Sequence, residues 1–295
     1  MRVYVIGSEG QVARSLREAA ARDPSVVLGF SLRDEVDLLL PSTIRNALVN
    51  FRPDVVINPA AYTAVDKAEA ESEQAFAINR DGAGAVAEAA EMVGAPVIHF
   101  STDYVFDGRK EGAYIESDSV APSGVYGMSK LQGELAVAAA NSRHVILRTS
   151  WVYAPFGSNF VRTMLRLAAE RDRLRVVDDQ IGCPTYAPDV ADAALAIAAQ
   201  IAGTGWKAGH GGVTHLAGPD SISWCGFARK VVALSARGGG RLVPVDPIAT
   251  RDYPTPAARP ANSRLSTVRL SSLFGVHIPP LETSLASCLD RLRHR

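Results

Sequence analysis

Through the first half of the chain, short uninterrupted apolar runs alternate with longer stretches whose apolar positions recur every three or four residues. Val3-Tyr4-Val5-Ile6 leads into a helical pattern from Gln11 to about Arg22, and Val26-Val27-Leu28 into one from Ser42 to Phe51. Asp54-Val55-Val56-Ile57 leads, after a loop, into an Ala-rich helix from about Gln74 to Met92. Pro96 to Phe100 and Val145-Ile146-Leu147 read as two further strands. Runs that are apolar without alternation suit strands covered on both faces. Their repetition with helices predicts a parallel sheet with right-handed crossovers. The expected fold is therefore α/β, a Rossmann-like doubly wound parallel sheet with a smaller C-terminal α/β domain over the substrate.

The second half is less regular. Helical patterns cover Asn159 to Glu170, Ala187 to Ile201, Ser223 to Arg237 and Leu281 to Arg291. Between them, Gly203 to Gly212 holds five glycines and Pro244 to Pro260 five prolines, and both read as surface connections. The expected division is a nucleotide-binding domain over 1–155, to which about 187–217 return, and a substrate-binding domain from 156–186 and 218–295.

Composition narrows the function classes. Apolar residues make up 47 % of the 295, enough for a sizeable core. Lys plus Arg equals Asp plus Glu at 31 each, so bulk charge draws the chain to neither nucleic acid nor an acidic membrane. The run Val3 to Ile6 is too short for a signal-peptide core. No stretch reaches the roughly 18 apolar residues of a membrane span. Cys183, Cys225 and Cys288 lie far apart without metal-ligand spacing and read as buried thiols. A cytoplasmic protein with no metal, no nucleic-acid partner and no membrane partner is expected.

The first strand runs straight into Gly7-Ser8-Glu9-Gly10-Gln11-Val12-Ala13, which opens a helix. Gly7 permits a tight turn, Gly10 lets backbone approach a pyrophosphate, and Ala13 allows close helix–strand packing. The helix N-terminus then offers free N–H groups and a positive dipole end to phosphates. An ordinary turn is the competing reading. The second strand ends at Ser31-Leu32-Arg33, with no acid to hold an adenosine ribose. Arg33 is placed to accept a 2′-phosphate, which favours NADPH over NADH, or else is simply solvated. Asp37 could reach the adenine edge.

Tyr126-Gly127-Met128-Ser129-Lys130 opens a helical pattern that runs to about Asn141. Residues four apart share a helix face, so the Lys130 ammonium is expected near the Tyr126 phenol. A free phenol titrates near pH ~10, and a neighbouring cation lowers that value toward usefulness as an acid. Taken alone, such a pair is more often a partly exposed helix pair. Ser101-Thr102-Asp103 changes its weight, because strand C-terminal ends gather round the ligand crevice of a doubly wound sheet. Thr102 would bond a substrate oxygen or the Tyr126 hydroxyl, and Tyr126 would give a proton to a ketone oxygen as hydride reaches the carbon.

These residues resemble the extended short-chain dehydrogenase/reductases, and among them the dTDP-4-dehydrorhamnose reductase family. The similarity spans nearly the whole chain. It includes the segments Asn58 to Glu69, Ser101 to Gly108, Arg148 to Tyr153, Asp178 to Thr185 and Ala258 to Leu265. The resemblance implies reduction of the 4-keto group of dTDP-4-dehydro-L-rhamnose by NADPH, with NADH possible. Related implied readings are another dTDP-4-keto-6-deoxy sugar, or a non-catalytic subunit like the β subunit of methionine adenosyltransferase.

Residue by residue, the resemblance implies Thr102, Tyr126 and Lys130 as the catalytic set. Gly7, Gly10, Gln11, Val12, Asp37, Leu38, Ala60, Ala61 and Tyr62, with Tyr126 and Lys130, would hold the cofactor. Asn79 would support the loop near the site. Thr102, Asp103, Tyr104, Tyr126 and Trp151 would face the substrate. The competing readings are that Ala60 and Ala61 are small only for close backbone packing and that Trp151 is core, although aromatic faces suit sugar C–H groups. Arg259, the one charge between Ala257 and Ala261, is a candidate for the substrate diphosphate or is solvated. Two positions depart from the family pattern: Leu32 stands where an Asp is frequent, and Ser15 where a metal-binding Glu of some relatives would fall. A monomer or weak homodimer is expected, and Gly205 to Thr214 has no assigned role.

Overall fold

The computed structural model describes residues 1–32, 35–203 and 205–294. Strands and helices alternate as β1 (Arg2–Val5), α1 (Gln11–Ala20), β2 (Val27–Phe30), α2 (Pro41–Phe51) and β3 (Val55–Asn58). After two short helices, α3 (Val65–Ala68) and α4 (Ser72–Phe76), come α5 (Ala83–Met92), β4 (Val97–Thr102), α6 (Val125–Ala140) and β5 (His144–Thr149). The remainder is β6 (Val152–Tyr153), α7 (Phe160–Glu170), β7 (Leu174–Val177), β8 (Ile181–Gly182), β9 (Thr185–Tyr186), α8 (Ala187–Gly203) and β10 (Gly212–His215). It closes with β11 (Ile222–Ser223), α9 (Trp224–Arg237), β12 (Val245–Ile248), β13 (Asn262–Ser263), α10 (Val268–Phe274) and α11 (Leu281–Arg293).

Six strands form one parallel sheet in the order β10-β5-β4-β3-β1-β2. Every residue of β3 and β4 is buried, as continuous apolar strands covered on both faces must be. One face packs Val3, Val5, Ile57, Ile98 and Leu147 against α1, α8 and α10. The other packs Tyr4, Val56, Val97 and Ile146 against α2, α5 and α6. A separate core joins α7, α9 and α11 to β7 and β12 through Val161, Met164, Phe227, Val231 and Leu285. No described helix is long and apolar enough to cross a membrane. The three cysteines are free and buried.

The second strand ends at Phe30, directly before the Ser31-Leu32-Arg33 stretch expected at its end. Two expectations need correction. The proline-rich stretch is not only connection: β12 lies inside it and pairs in parallel with β7, carrying Pro247 in a two-stranded sheet where a missing N–H is tolerated. The Ala-rich helix is interrupted by a π-helical segment, Ala77–Gly82. Such wider turns recur at functional sites, and this one carries Asn79. The glycine-rich stretch gains a structural role, since Trp206 packs on the first core and His210 stacks on Phe274 with ring centroids 5.6 Å apart.

Candidate active site

The sheet order reverses between β1 and β3, so the loops leaving their C-terminal ends part and open a crevice. Gly7, with φ at +90°, makes the turn after β1, and its N–H donates to Ser31 Oγ at 2.7 Å. A Cβ on Gly7 would lie 3.6 Å from Ala60 Cβ, so the turn rests against the loop after β3. Gly10 precedes α1 with no side-chain cap, leaving the first N–H groups of the helix to a ligand or water. Gln11 spends its amide elsewhere: Oε1 accepts from Asn159 Nδ2 at 2.9 Å, tying the turn to the second half of the chain. Val12 packs on the core.

Asp37 Oδ1 accepts from the Leu39 N–H at 2.9 Å, and Leu38 lies against Gly82 of the π segment. Arg33 lies outside the described residues, and Leu32 before it is exposed. Ala60 and Ala61 are half-buried. Tyr62 donates its N–H to Asn79 Oδ1 at 2.8 Å and its hydroxyl to Glu71 Oε2 at 2.5 Å. The Glu71 contact pushes the Tyr62 phenol up to about 12.

Strand β4 delivers Thr102 to the same crevice, and a single 3₁₀ turn, Asp103–Val105, follows it. Thr102 Oγ1 donates to Asp103 Oδ1 at 3.0 Å, accepts from the Tyr104 N–H at 3.2 Å, and is in hydrogen-bonding contact with the Tyr126 phenol. Helix α6 brings Tyr126 there because it can approach unusually closely. A Cβ on Gly127 would fall 2.2 Å from Tyr104 O, and one on Gly133 would fall 2.0 Å from Asn79 O. Asn79 Nδ2 in turn donates to Ser129 Oγ at 2.9 Å, so the π segment holds α6 from the side. Glu69 Oε1 accepts the Val125 N–H at 2.9 Å and caps the helix one residue before Tyr126.

Lys130 is the surprise. Its ammonium was expected near the phenol, but Nζ bonds Phe100 O at 2.7 Å and lies 3.4 Å from His99 Nε2. Tyr126 is accordingly raised above the usual phenol range by burial, with Thr102 opposing and the Asp103 charge adding to it. Burial pushes the Lys130 amine down to about 8, against the field of Glu134. Burial also pushes the Asp103 carboxyl up to about 6, and its Oδ2 has no partner. His99 is held well below the usual imidazole range by burial, with Lys130 adding to the effect.

Beyond Tyr126 the site is aromatic. Tyr104 meets Tyr126 edge to face at 5.5 Å, and burial pushes its phenol up to about 12. Trp151, with φ at +48°, stacks on Trp224 at 3.4 Å between ring centroids, with Gly182 close against the indole. One face of Trp151 is therefore already taken. Arg259 is half-buried and ion-paired: Nη2 pairs with Asp66 Oδ2 at 2.8 Å, while Nη1 is buried without a partner. Ser15 is buried and donates to Gln11 O at 2.8 Å.

The RmlD substrate binding domain family matches residues 1–294. The chain belongs to that family. It is 48 % identical to a dTDP-4-dehydrorhamnose reductase of Sinorhizobium fredii, over 96 % of this chain and 95 % of that one. Two solved dTDP-4-dehydrorhamnose reductases share its fold. That of Clostridium acetobutylicum is 34 % identical with a TM-score of 0.91, covering 99 % of this chain and 100 % of that one. That of Bacillus anthracis, solved in complex with NADP, is 34 % identical with a TM-score of 0.89, covering 98 % of each chain. The central sheet and flanking helices of this RmlD-family chain are the Rossmann-like arrangement that its strand–helix alternation predicts.

Sequence reasoning on this RmlD-family chain missed several residues that shape the site. Gly127 and Gly133 lie inside the helix that carries Tyr126 and Lys130 and drew no comment there, though a glycine in a helix is itself a sign of close approach. His99 and Asn58 are polar residues in otherwise apolar strands, a signal that was available. Trp224, Glu69 and Asp66 had none, since each acts on a residue distant in the chain.

Proposed function

We propose that this chain reduces the 4-keto group of dTDP-4-dehydro-L-rhamnose with NADPH to give dTDP-L-rhamnose. The meeting of Thr102 and Tyr126 at the end of β4, one helical turn from Lys130, carries the reading. It is supported by the near full-length similarity to reductases of that name, one of them solved with NADP.

The residues of the β1/β3 crevice fit a dinucleotide. Gly7 and Gly10 clear space for a pyrophosphate before the uncapped end of α1, and Ala60 and Ala61 leave room opposite. Gly7, Gly10, Gln11, Val12, Asp37, Leu38 and Tyr62 would line it, with Arg33 at the 2′-phosphate and Lys130 at the nicotinamide end. Bound there, the reduced nicotinamide supplies hydride.

Tyr126 is the acid in this reading. Its high pKa keeps the proton on until a developing alkoxide needs it, and Thr102 orients the phenol or the substrate oxygen. Asp103, Tyr104 and the open side of Trp151 would face the sugar. Arg259 would reach a diphosphate by its unpartnered Nη1. We read 1–155 with 187–217 as the cofactor half and 156–186 with 218–295 as the half over the substrate, in a cytoplasmic monomer or weak homodimer.

The test is NADPH absorbance with the upstream enzymes supplying the ketone, NMR identification of the product, and a panel of other dTDP-4-keto-6-deoxy sugars and NADH. Tyr126→Phe should lower turnover by roughly 10²–10⁴-fold while NADPH still binds. Turnover by that variant at the parent rate would reject the assigned acid. Oxidation of NADPH with a different sugar, and not this one, would reject the substrate.

A further inference from the structure

Beneath the site a buried hydrogen-bonded chain reaches Lys130 through two residues, Asn58 and His99, that the proposed reaction does not use. Parallel pairing of β3 with β4 sets Asn58 opposite His99. Asn58, His99 and Lys130 are each at most 2 % exposed. Asn58 Oδ1 accepts the Ala60 N–H at 3.2 Å. Asn58 Nδ2 lies 3.2 Å from His99 Nδ1, and His99 Nε2 lies 3.4 Å from Lys130 Nζ. Lys130 Nζ ends the chain on Phe100 O at 2.7 Å.

The polarity of this chain is set at its backbone end. The Ala60 N–H can only donate, so the Asn58 oxygen must face it and the Asn58 NH₂ must face His99. Nδ1 is then the acceptor, and a neutral imidazole carries its proton on Nε2. Nε2–H points at Lys130. An ammonium there would set donor against donor, whereas a neutral amine accepts through its lone pair and still donates to Phe100 O. An imidazolium is excluded, because Nδ1 would also meet a donor.

We propose that His99 is a positioning residue that holds Lys130 as a neutral amine in the cofactor-free protein, and that Lys130 takes up one proton from buffer acid when a bound dinucleotide draws it from His99. The second half rests on the nicotinamide reading above, and the first does not. Among the described titratable groups around the amine, Glu134 favours the charged form, and the others do not oppose a neutral state. From β4 only His99 faces it. On α6, Glu134 has its charge met by Arg148 of β5, and Tyr126 is protonated. From β3 only the uncharged Asn58 approaches. Burial depresses Lys130 in the same direction, to about 8, so the neutral amine predominates above that pH.

Two measurements decide it. In ¹⁵N-histidine-labelled full-length protein without cofactor, assigned by loss of one resonance set in His99→Gln, the His99 ring should show Nε2 protonated and Nδ1 bare. Asn58→Asp puts a carboxylate oxygen at Nδ1, so the proton should move to Nδ1 and Lys130 should become an ammonium. A Nδ1-protonated ring in the parent protein overturns the proposal. Calorimetric titration with NADPH at pH 9, where an amine lowered to about 8 is mostly unprotonated before binding, in buffers of different ionisation enthalpy, should then show proton uptake approaching one, falling as the pH is lowered through about 8. That uptake should vanish in Asn58→Asp and in Lys130→Met. Binding without uptake overturns the linkage. Absence of NADPH binding would instead strike the proposed function, while the ring spectrum still decides the role of His99.

Discussion

Replacing Glu134 by Gln should destabilise the protein far more than its conservative size suggests. The Glu134 and Arg148 side chains are each 4 % exposed. Arg148 Nε and Nη2 donate to the two carboxylate oxygens at 2.8 and 2.6 Å, and Ser101 Oγ donates to Oε1 at 2.5 Å. Arg148 Nη1 already lacks a partner, and the guanidinium lies 5.1 Å over the Phe106 ring, away from water. Its field, after burial, helps push His215 down to about 3, so no neighbouring group can share the charge. Glu134→Gln thus leaves an uncompensated buried cation, at a cost of about 3–5 kcal/mol. That is a large share of the roughly 5–15 kcal/mol that holds a folded protein together. At roughly 2–4 °C per kcal/mol, the melting temperature should fall by about 6–20 °C. Scanning calorimetry and tryptophan-monitored urea unfolding of the full chain would measure it. Glu134→Leu combined with Arg148→Met removes both charges and should recover most of the loss, short of about 1–3 kcal/mol for the stranded Ser101 hydroxyl. A single variant within about 1 kcal/mol of the parent, or a double variant worse than the single, would refute the account.

Three further outcomes follow from the same geometry. The Asp103 carboxyl is raised by burial to about 6 from an unfolded value near 4, so its contribution to stability is present below pH ~4 and lost as pH rises through ~6, about 3 kcal/mol in all. Asp103→Asn should flatten that part of the profile, read as urea midpoints at pH 4.5 and 7.5; an unchanged slope would count against it. Gly127→Ala should cost about 1–3 kcal/mol and most of the turnover, because its Cβ meets backbone at Tyr104 O, while Gly112→Ala, in open space, should be neutral in the same assays. Trp224→Ala removes the surface on which Trp151 stacks, and should raise KM for the nucleotide sugar more than it lowers kcat; a pure kcat effect would place these rings away from the sugar.

The parallel sheet was legible because buried strands such as β3 and β4 announce themselves as continuous apolar runs. The strands β8, β11 and β13 did not, being two residues long and too short for any period. The π segment escaped because its residues keep a helical pattern; only the position of Asn79, turned toward Tyr62 and Ser129, reveals the wider turn. Spacing put Tyr126 and Lys130 on one helix correctly, but it carries no depth. Burial raises the phenol and turns the amine inward, where a surface pair would have met. The Arg259–Asp66 ion pair was hidden for a different reason, since the two residues are 193 positions apart. The same limit holds for Asn58 and His99. Asn58 reads as a lone polar residue at the end of one apolar strand and His99 as one within another, 41 positions apart, and only the β3–β4 register makes them a pair. That pairing gives Lys130 a hydrogen-bond donor where its spacing from Tyr126 implied a phenol.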